Sequence, residues 1–253
     1  MVWAMVCSKA QWALLAPFSN AMICKIADLI AEVPAADGLD RRCADYLYSG
    51  DHGADIIIRT DLYRFGHYHE KTPTEVVAYM ESAFQFYNQL PNFGGFYLHS
   101  SAVVRDGKAY LFSGHSGVGK STHVRLWIDT FGGDTRVIND DKPALRCIDG
   151  VWYAYGTPWC GKDGININER VPVAGLCFLK QADHNSIRRL SSSEAVLKIL
   201  GQTIFRFQDT KYADALMKNM ESFLSDVPVY ELENLPNRDA ALLSYNTMFK
   251  DCI

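Results

Sequence analysis

Residues 114–122 carry the chain's most chemically informative pattern. They read Gly-His-Ser-Gly-Val-Gly-Lys-Ser-Thr, and Gly114 to Ser121 fit the phosphate-binding pattern G-x-x-x-x-G-K-S/T at every fixed position. Glycines in such a loop allow successive main-chain N–H groups to curl around phosphates, the lysine reaches the β- and γ-phosphates, and the hydroxyl binds Mg²⁺. We therefore expect Lys120 to contact a triphosphate and Ser121 to bind the metal.

The loop predicts a nucleotide ligand, with ATP and Mg²⁺ as cofactors. The residues expected to bind the nucleotide are Gly114, Ser116, Gly117, Val118, Gly119, Lys120, Ser121 and Thr122. The sequence does not separate ATP from GTP, although the Asn-Lys-x-Asp motif of GTPases is absent. The Leu-Ser-Gly-Gly-Gln signature of ABC ATPases is also absent, which argues against that class.

Two adjacent acids follow the loop at a spacing that suits the same site. Asp140 and Asp141 end the stretch Val-Ile-Asn-Asp-Asp, in which apolar residues lead into carboxylates, as at the end of a buried strand. The interval from Lys120 to Asp140 fits one helix and a returning strand. One carboxylate can hold Mg²⁺ while the other accepts the proton of an attacking hydroxyl. We assign Asp140 as the general base and Asp141 as the metal ligand; the alternative is a solvated acidic turn.

Phosphoryl transfer depends on positioning and charge neutralisation, so further cations should converge on the site. The candidates are Lys142, Lys162, Arg125 and Arg170. His99 ends an apolar stretch beside the loop's strand, and it could hydrogen-bond a phosphate or the acceptor, or pack as a structural histidine. His67 and His69 alternate along the chain without an evident third ligand, which favours a solvated face over a metal site.

The elements around the loop are those that a phosphate-binding loop requires. Apolar residues at 108–113 predict a strand before it. After it, Val124, Trp127, Ile128 and Phe131 recur at the spacing of one helix face. The positive end of that helix would point at a bound anion.

The rest of the chain predicts a mixed α/β fold. Strands are expected at 55–60, 96–104, 135–139, 144–148, 151–155, 173–180, 187–190 and 227–232. Helices are expected from Thr72, at 191–201, around 216–224 and after Pro236; the first should bury Val76, Met80, Ala83, Phe84 and Tyr87. Asp-Gly turns join several strands as hairpins, which disfavours an all-parallel doubly wound sheet. We predict an α+β N-terminal region over residues 1–95 and a P-loop domain over residues 96–253.

Composition excludes several functional classes. The chain has 253 residues, a net charge of −4 and 48% hydrophobic residues, which is typical of a soluble globular protein. No basic run exceeds a pair, so no nucleic-acid partner is expected. The cysteines are scattered without C-x-x-C spacing, which favours the cytoplasm and neither zinc nor disulfides. Polar residues interrupt the apolar stretch 1–30, so we expect core-packing elements there, with no membrane span and no signal peptide.

Three segments in order resemble the HPr serine kinase/phosphorylase family, which is related in fold to phosphoenolpyruvate carboxykinase. They are Leu98-His-Ser-Ser-Ala-Val-Val104, the loop at 114–121, and Ile138-Asn-Asp-Asp141. The chain is still more similar to bacterial HPr-kinase-like proteins that carry Gly-Thr-Pro-Trp after the acids, here at 156–159. Similar proteins occur beside peptide-modification systems, including lasso-peptide maturation.

The resemblance implies a mixed, partly closed barrel-like sheet with helices packed on it. It also implies active-site roles for His99, Lys120, Ser121, Asp140 and Asp141, and it leaves room for a homo-oligomer. Two features depart from the family: Thr122 stands where HPr kinases have glutamate, and the later Arg-Gly-Leu-Gly signature is missing. The resemblance therefore supports the ATP/Mg²⁺ centre more strongly than HPr as the acceptor.

Three functions fit these observations. The first is a kinase that transfers the γ-phosphate of ATP to a hydroxyl of a protein or peptide serine or of a small metabolite, with Asp140, Lys120 and His99 as the catalytic residues. The second is a non-catalytic nucleotide-binding regulatory or assembly protein. The third is a carboxykinase-type reaction, for which the chain is short.

Overall fold

The computed structural model describes residues 21–36, 38–204 and 209–250. The core-packing role predicted for residues 1–20 lies outside the described residues. The chain packs as two compact units, residues 1–86 and residues 87–253. Within the described part, no helix combines the length and apolarity needed to cross a bilayer.

The first unit contains a small sheet and two helices among its described residues. Its strands are β1 (Ala21–Ile26), β2 (Leu29–Pro34) and β3 (Ile56–Ile57). β1 and β2 pair antiparallel, and β3 adds in parallel to β2. The helices are α1 (Leu39–Cys43) and α2 (Thr74–Tyr87), the latter ending on the first residue of the second unit.

Helix α2 buries part of the predicted face: Ala83 and Tyr87 are buried as expected, at 4% and 2% exposure. Val76 and Met80 were expected in the core, but they are 41% and 40% exposed. The buried face instead includes Glu81, whose carboxylate accepts a hydrogen bond from the Tyr68 hydroxyl at 3.0 Å and pairs with Arg64 at 3.4 Å. The prediction was therefore wrong at Val76 and Met80, because a hydrophobic pattern cannot identify a buried carboxylate.

The second unit is built on one mixed sheet. Its strands are β4 (Gly95–Tyr97), β5 (Ser100–Arg105), β6 (Lys108–Ser113), β7 (Arg136–Asn139), β8 (Ala144–Ile148), β9 (Val151–Tyr155), β10 (Arg170–Gln181), β11 (Ser186–Arg189) and β12 (Val229–Asn234). The order is β4-β8-β9-β10-β6-β5-β7, with β12 beside β10 and β11 beside β12. The long strand β10 pairs antiparallel with β9 at its start and parallel with β6 and β12 further along. The mixed sheet is therefore curled and open, like half of a barrel, as the sequence predicted in outline.

Four helices of this unit are described. They are α3 (Lys120–Phe131), α4 (Ser192–Leu200), α5 (Thr210–Asp226) and α6 (Arg238–Lys250). A capping box between Ser191 and Glu194 starts α4, where the sequence predicted a helix from residue 191. Apolar clusters on the sheet include Phe96 with Phe223, and Phe112 with Trp127.

One predicted strand is divided in two. The stretch 96–104 was expected to be continuous, but β4 ends at Tyr97 and pairs with β8, whereas β5 begins at Ser100 and pairs with β6. Between them, the His99 N–H donates to the Gln202 carbonyl at 2.8 Å, outside either strand ladder. This interruption takes His99 out of the sheet.

Candidate functional site

Sheet topology brings three of the predicted segments to one edge. Strand β5 is antiparallel to both β6 and β7, so the amino end of β5 and the carboxyl ends of β6 and β7 share an edge. His99 immediately precedes β5, Gly114 follows β6, and Asp140 follows β7. Segments that lie far apart in sequence therefore meet because of the strand order.

The segment after β6 is a tight, glycine-rich loop that leads into helix α3. Gly114 has a φ of 146°, and a Cβ added there would lie 2.9 Å from a Val118 methyl group. Gly119 has a φ of 107° and is the N-cap residue of α3, which begins at Lys120. These left-handed conformations favour glycine, and they turn the chain so that the loop ends at a helix N-terminus.

Lys120 is folded back over its own loop. Its ammonium group donates to the carbonyl oxygens of Gly114 at 2.9 Å and His115 at 3.4 Å. Burial lowers the pKa of Lys120, whereas the nearby Asp141 carboxylate acts to raise it. The ammonium group and Asp141 are therefore close enough to interact electrostatically.

The other predicted loop residues divide into two groups. Ser116, Gly117, Ser121 and Thr122 are exposed, so a ligand can reach them. Val118 is buried in an apolar cluster, and its N–H donates to the His115 carbonyl at 3.3 Å. Val118 thus anchors the loop, and its predicted nucleotide contact stays a prediction.

Asp141 lies between two basic side chains. Its Oδ1 is 3.0 Å from His99 Nε2, and its Oδ2 contacts the Lys142 ammonium group. Burial acts to raise the pKa of Asp141, but the hydrogen bonds from His99 and Lys142 outweigh it and hold that pKa at about 2. The second ring nitrogen of His99 contacts Gln202 Oε1 at 3.0 Å, which fixes the ring.

Asp140 occupies a different environment, although it is the adjacent residue. Its Oδ1 accepts the Gly161 N–H at 2.5 Å, and a Cβ on Gly161 would lie 2.7 Å from Oδ2. Burial raises the pKa of Asp140; the Gly161 hydrogen bond opposes that shift, and the Asp141 charge adds to it. The two acids thus have pKa values moved in opposite directions, the arrangement in which one carboxylate stays ionised and the other can exchange a proton.

Asn139 and Gln202 are site residues that sequence reasoning missed. Asn139 is fully buried and hydrogen-bonds the main chain of the acidic turn. Its only sequence signal is its place between an apolar strand and two acids. Gln202 lies just beyond helix α4, far along the chain from His99, and carries no local signal.

Of the four cations proposed for the site, Lys142 contacts the acidic pair. Lys142 lies in the site through its contact with Asp141. Arg170 lies over the Tyr153 ring, 5.1 Å from its centroid. Arg125 and Lys162 have exposed side chains.

Two further predictions concern histidines and the loop after β9. His67 and His69 are exposed, as the solvated alternative predicted. Trp159, the last residue of the Gly-Thr-Pro-Trp segment, is completely buried and packs edge-on to Tyr87 at 5.5 Å. Among the described residues, no group of three or more His, Cys, Asp or Glu side chains is arranged to hold a metal ion.

Comparison with known proteins gives one family match. A family model described as SynChlorMet cassette protein ScmC matches residues 68–235, about two thirds of the chain. Among solved structures, the HPr(Ser) kinase/phosphatase from Coxiella burnetii is similar, with 16% sequence identity, coverage of 61% of this chain and 88% of that chain, and a TM-score of 0.36. No curated protein sequence matches the chain.

Proposed function

The chain belongs to the family of SynChlorMet cassette protein ScmC, and we propose that it is an ATP- and Mg²⁺-dependent phosphotransferase. In this proposal the acceptor is a hydroxyl of a protein or peptide serine or of a small metabolite. The activity is assigned to the P-loop domain, residues 96–253, in the cytoplasm. The motif resemblance to HPr serine kinases supports the same chemistry.

The convergence of three strand ends is the observation that carries the proposal. It brings the glycine loop, His99 and the acidic pair to one edge of the sheet, with Lys120 in electrostatic contact with Asp141. A phosphoryl-transfer site needs this combination, because a triphosphate must be held by main-chain N–H groups and a cation while a carboxylate faces the acceptor.

The residues fit a bound nucleotide and metal by their donor chemistry. Gly117 and Gly119 have open space where a side chain would begin, and Lys120 supplies a cation that donates to loop carbonyls and lies near Asp141. Ser121 and Asp141 would hold Mg²⁺, which prefers oxygen ligands. When bound, Mg²⁺-ATP supplies the γ-phosphoryl group for transfer.

The two acids take different roles because their environments differ. Asp140, with its raised pKa, accepts the acceptor's hydroxyl proton as the oxygen bonds to the γ-phosphorus and ADP leaves. Asp141 stays ionised, since its pKa is about 2, and His99 fixes its orientation. Lys120 and the loop N–H groups neutralise charge that develops on the phosphoryl oxygens.

The Asp140→Asn variant tests this assignment. Transfer of label from γ-labelled ATP to candidate serine peptides and small hydroxylated acceptors should fall by at least about 100-fold, because a neutral amide cannot accept the proton. ATP affinity should stay within a few-fold, since the loop is unchanged. Turnover at the wild-type rate would refute Asp140 as the base.

A non-catalytic nucleotide-binding protein is the second candidate. It is favoured by the observation that both carboxylates and Lys120 already have protein partners: Gly161 for Asp140, His99 for Asp141 and the Gly114 carbonyl for Lys120. This candidate predicts ATP binding without transfer to any acceptor, and a function that tolerates changes at Asp140 but not at Lys120. Appearance of label on a hydroxyl would exclude it.

A further inference from the structure

The acidic turn, residues 139–142, is hydrogen-bonded to a buried side-chain amide. Asn139, the last residue of β7, is fully buried, and its Oδ1 accepts the main-chain N–H groups of Asp141 at 3.0 Å and Lys142 at 2.6 Å. Two N–H groups of the turn therefore end on one oxygen atom. Such bonds fix where the main chain of both acids lies.

The other end of the same amide is bound to the segment after β9. Asn139 Nδ2 lies 3.3 Å from the Thr157 carbonyl oxygen, 3.2 Å from the Thr157 hydroxyl and 3.2 Å from the Trp159 carbonyl oxygen. An amide nitrogen can only donate and its oxygen can only accept, so these partners determine the orientation of the side chain. Asn139 thus links the acidic turn to a rigid, buried segment.

Two hydroxyl groups also bind the main chain of the acidic turn. The Lys142 carbonyl oxygen accepts from the Thr157 hydroxyl at 2.9 Å and from the Tyr87 hydroxyl at 2.5 Å. Both the N–H and the C=O of Lys142 are therefore held by buried side chains. The turn between Asn139 and Lys142 has little freedom to move as a consequence.

We propose that Asn139 is a positioning residue that sets the directions in which Asp140 and Asp141 diverge. With the turn held, the Asp140 carboxylate reaches the Gly161 N–H, while Asp141 reaches His99. Asn139 touches no reacting atom; it acts through the two acids. The inference rests on the proposed function for its catalytic consequence, but the arrangement itself is a property of the folded chain.

The expected size of the effect follows from the bonds that are lost. Asn139→Ala removes one acceptor shared by two part-buried N–H groups, so the turn must shift for them to find other partners. A displacement of about 1 Å at a reacting group can cost about 100-fold in rate. The nucleotide loop lies on other elements, so ATP affinity should change by no more than about 3-fold.

The experiment compares Asn139→Ala with a matched control in the same unit. Asn219 also uses its Nδ2 to bridge two carbonyl oxygens, those of Pro91 at 3.0 Å and Gly95 at 3.1 Å, and both lie outside the acidic turn. Asn219→Ala therefore controls for loss of a bridging amide. Thr157→Val, which removes only a hydroxyl and keeps the branched shape, provides a second test if Asn139→Ala does not fold.

Three readouts are measured on each variant: kcat for transfer from ATP, ATP affinity by calorimetry, and the ¹⁵N shifts of the His99 ring. The His99 signals are assigned by their loss in His99→Gln, and they report the contact with Asp141. For Asn139→Ala we expect changed His99 shifts and a loss of about 100-fold in kcat with nearly unchanged ATP affinity. Thr157→Val should show a smaller effect in the same direction, and Asn219→Ala should show neither change.

Two results would overturn the inference. One is wild-type kcat together with unchanged His99 shifts in Asn139→Ala. The other is an Asn219→Ala variant that changes kcat and the His99 shifts as much as Asn139→Ala does. If the wild-type chain transfers phosphate to no acceptor, the proposed function fails, and the His99 shifts alone decide whether Asn139 positions the turn.

Discussion

Acidification should destabilise the second unit through a buried histidine beside the glycine loop. His123, in the first turns of helix α3, is 1% exposed and packs against the Phe112 ring. The Ser244 hydroxyl donates to the Ala241 carbonyl and accepts from the Trp127 indole, and the His123 Nε2 lies 3.1 Å from it. Since that hydroxyl has one proton, His123 must donate through Nε2. Its Nδ1 has no hydrogen-bond partner within the described part of the chain.

This environment favours the neutral imidazole. Burial lowers the pKa of His123 from 6.5 to about 4, and protonation would create a second N–H with nothing to receive it. The unfolded chain takes up the proton near pH 6.5, but the folded chain does so only near pH 4. The free energy of unfolding therefore contains the full contribution of neutral His123 above pH 6.5. It loses that contribution as the pH falls toward 4.

The size of the loss follows from the two pKa values. A folded pKa of about 4 against 6.5 in the unfolded chain corresponds to a loss of about 2 kcal/mol at pH 5 and about 3 kcal/mol well below pH 4. Urea unfolding at pH 7.5 and pH 5 should show this loss in the wild type. His123→Gln, which can still donate to Ser244 and does not titrate, should lose about 2 kcal/mol less over the same interval.

Subtracting the His123→Gln values removes the contributions of the many carboxylates, because both proteins contain them. Identical pH dependence in the two proteins would refute the argument. It would mean that His123 is protonated as readily in the folded chain as in the unfolded one.

Two further substitutions test individual features of the fold and the loop. Gly114→Ala places a methyl group 2.9 Å from Val118 at a φ of 146°. The resulting strain of about 1–2 kcal/mol should weaken ATP binding about tenfold in calorimetry. An unchanged affinity would show that the loop tolerates a side chain. Glu81→Ala removes the buried acceptor of the Tyr68 hydroxyl and should lower the free energy of unfolding by about 1–3 kcal/mol in urea. Glu75→Ala, at an exposed position of the same helix, is its control; an equal loss in both would contradict a special role for the buried carboxylate.

Local signals account for much of the second unit's secondary structure. The Asp106-Gly107 and Asp149-Gly150 pairs were predicted as hairpin turns, and all four residues have positive φ values. The strands 144–148 and 151–155 and the helix that begins after Ser191 also agree with the predictions. In these cases the information lies within a few residues, so the chain need not be folded to reveal it.

The composition of the site depends on contacts that sequence spacing does not encode. The pairing of β5 with both β6 and β7 is what brings His99 and Asp140 to the loop, and no local pattern specifies that order. Asn139 acts through main-chain N–H groups, which are the same for every non-proline residue, so its partners leave no pattern in the sequence. The prediction for α2 found the buried Ala83 and Tyr87 but missed the buried Glu81, because periodicity treats every carboxylate as exposed.

The central claim is that the loop from Gly114 to Ser121 and the Lys120 ammonium group hold a triphosphate beside the acidic pair. Calorimetric titration with a non-hydrolysable ATP analogue and Mg²⁺ tests it most directly, using the wild type, Lys120→Ala and Asp140→Asn. We predict that the wild type and Asp140→Asn bind within a few-fold of each other, and that Lys120→Ala binds at least about 100-fold more weakly, a difference of about 2.7 kcal/mol. Absence of binding by the wild type, or equal binding by Lys120→Ala, would contradict the account.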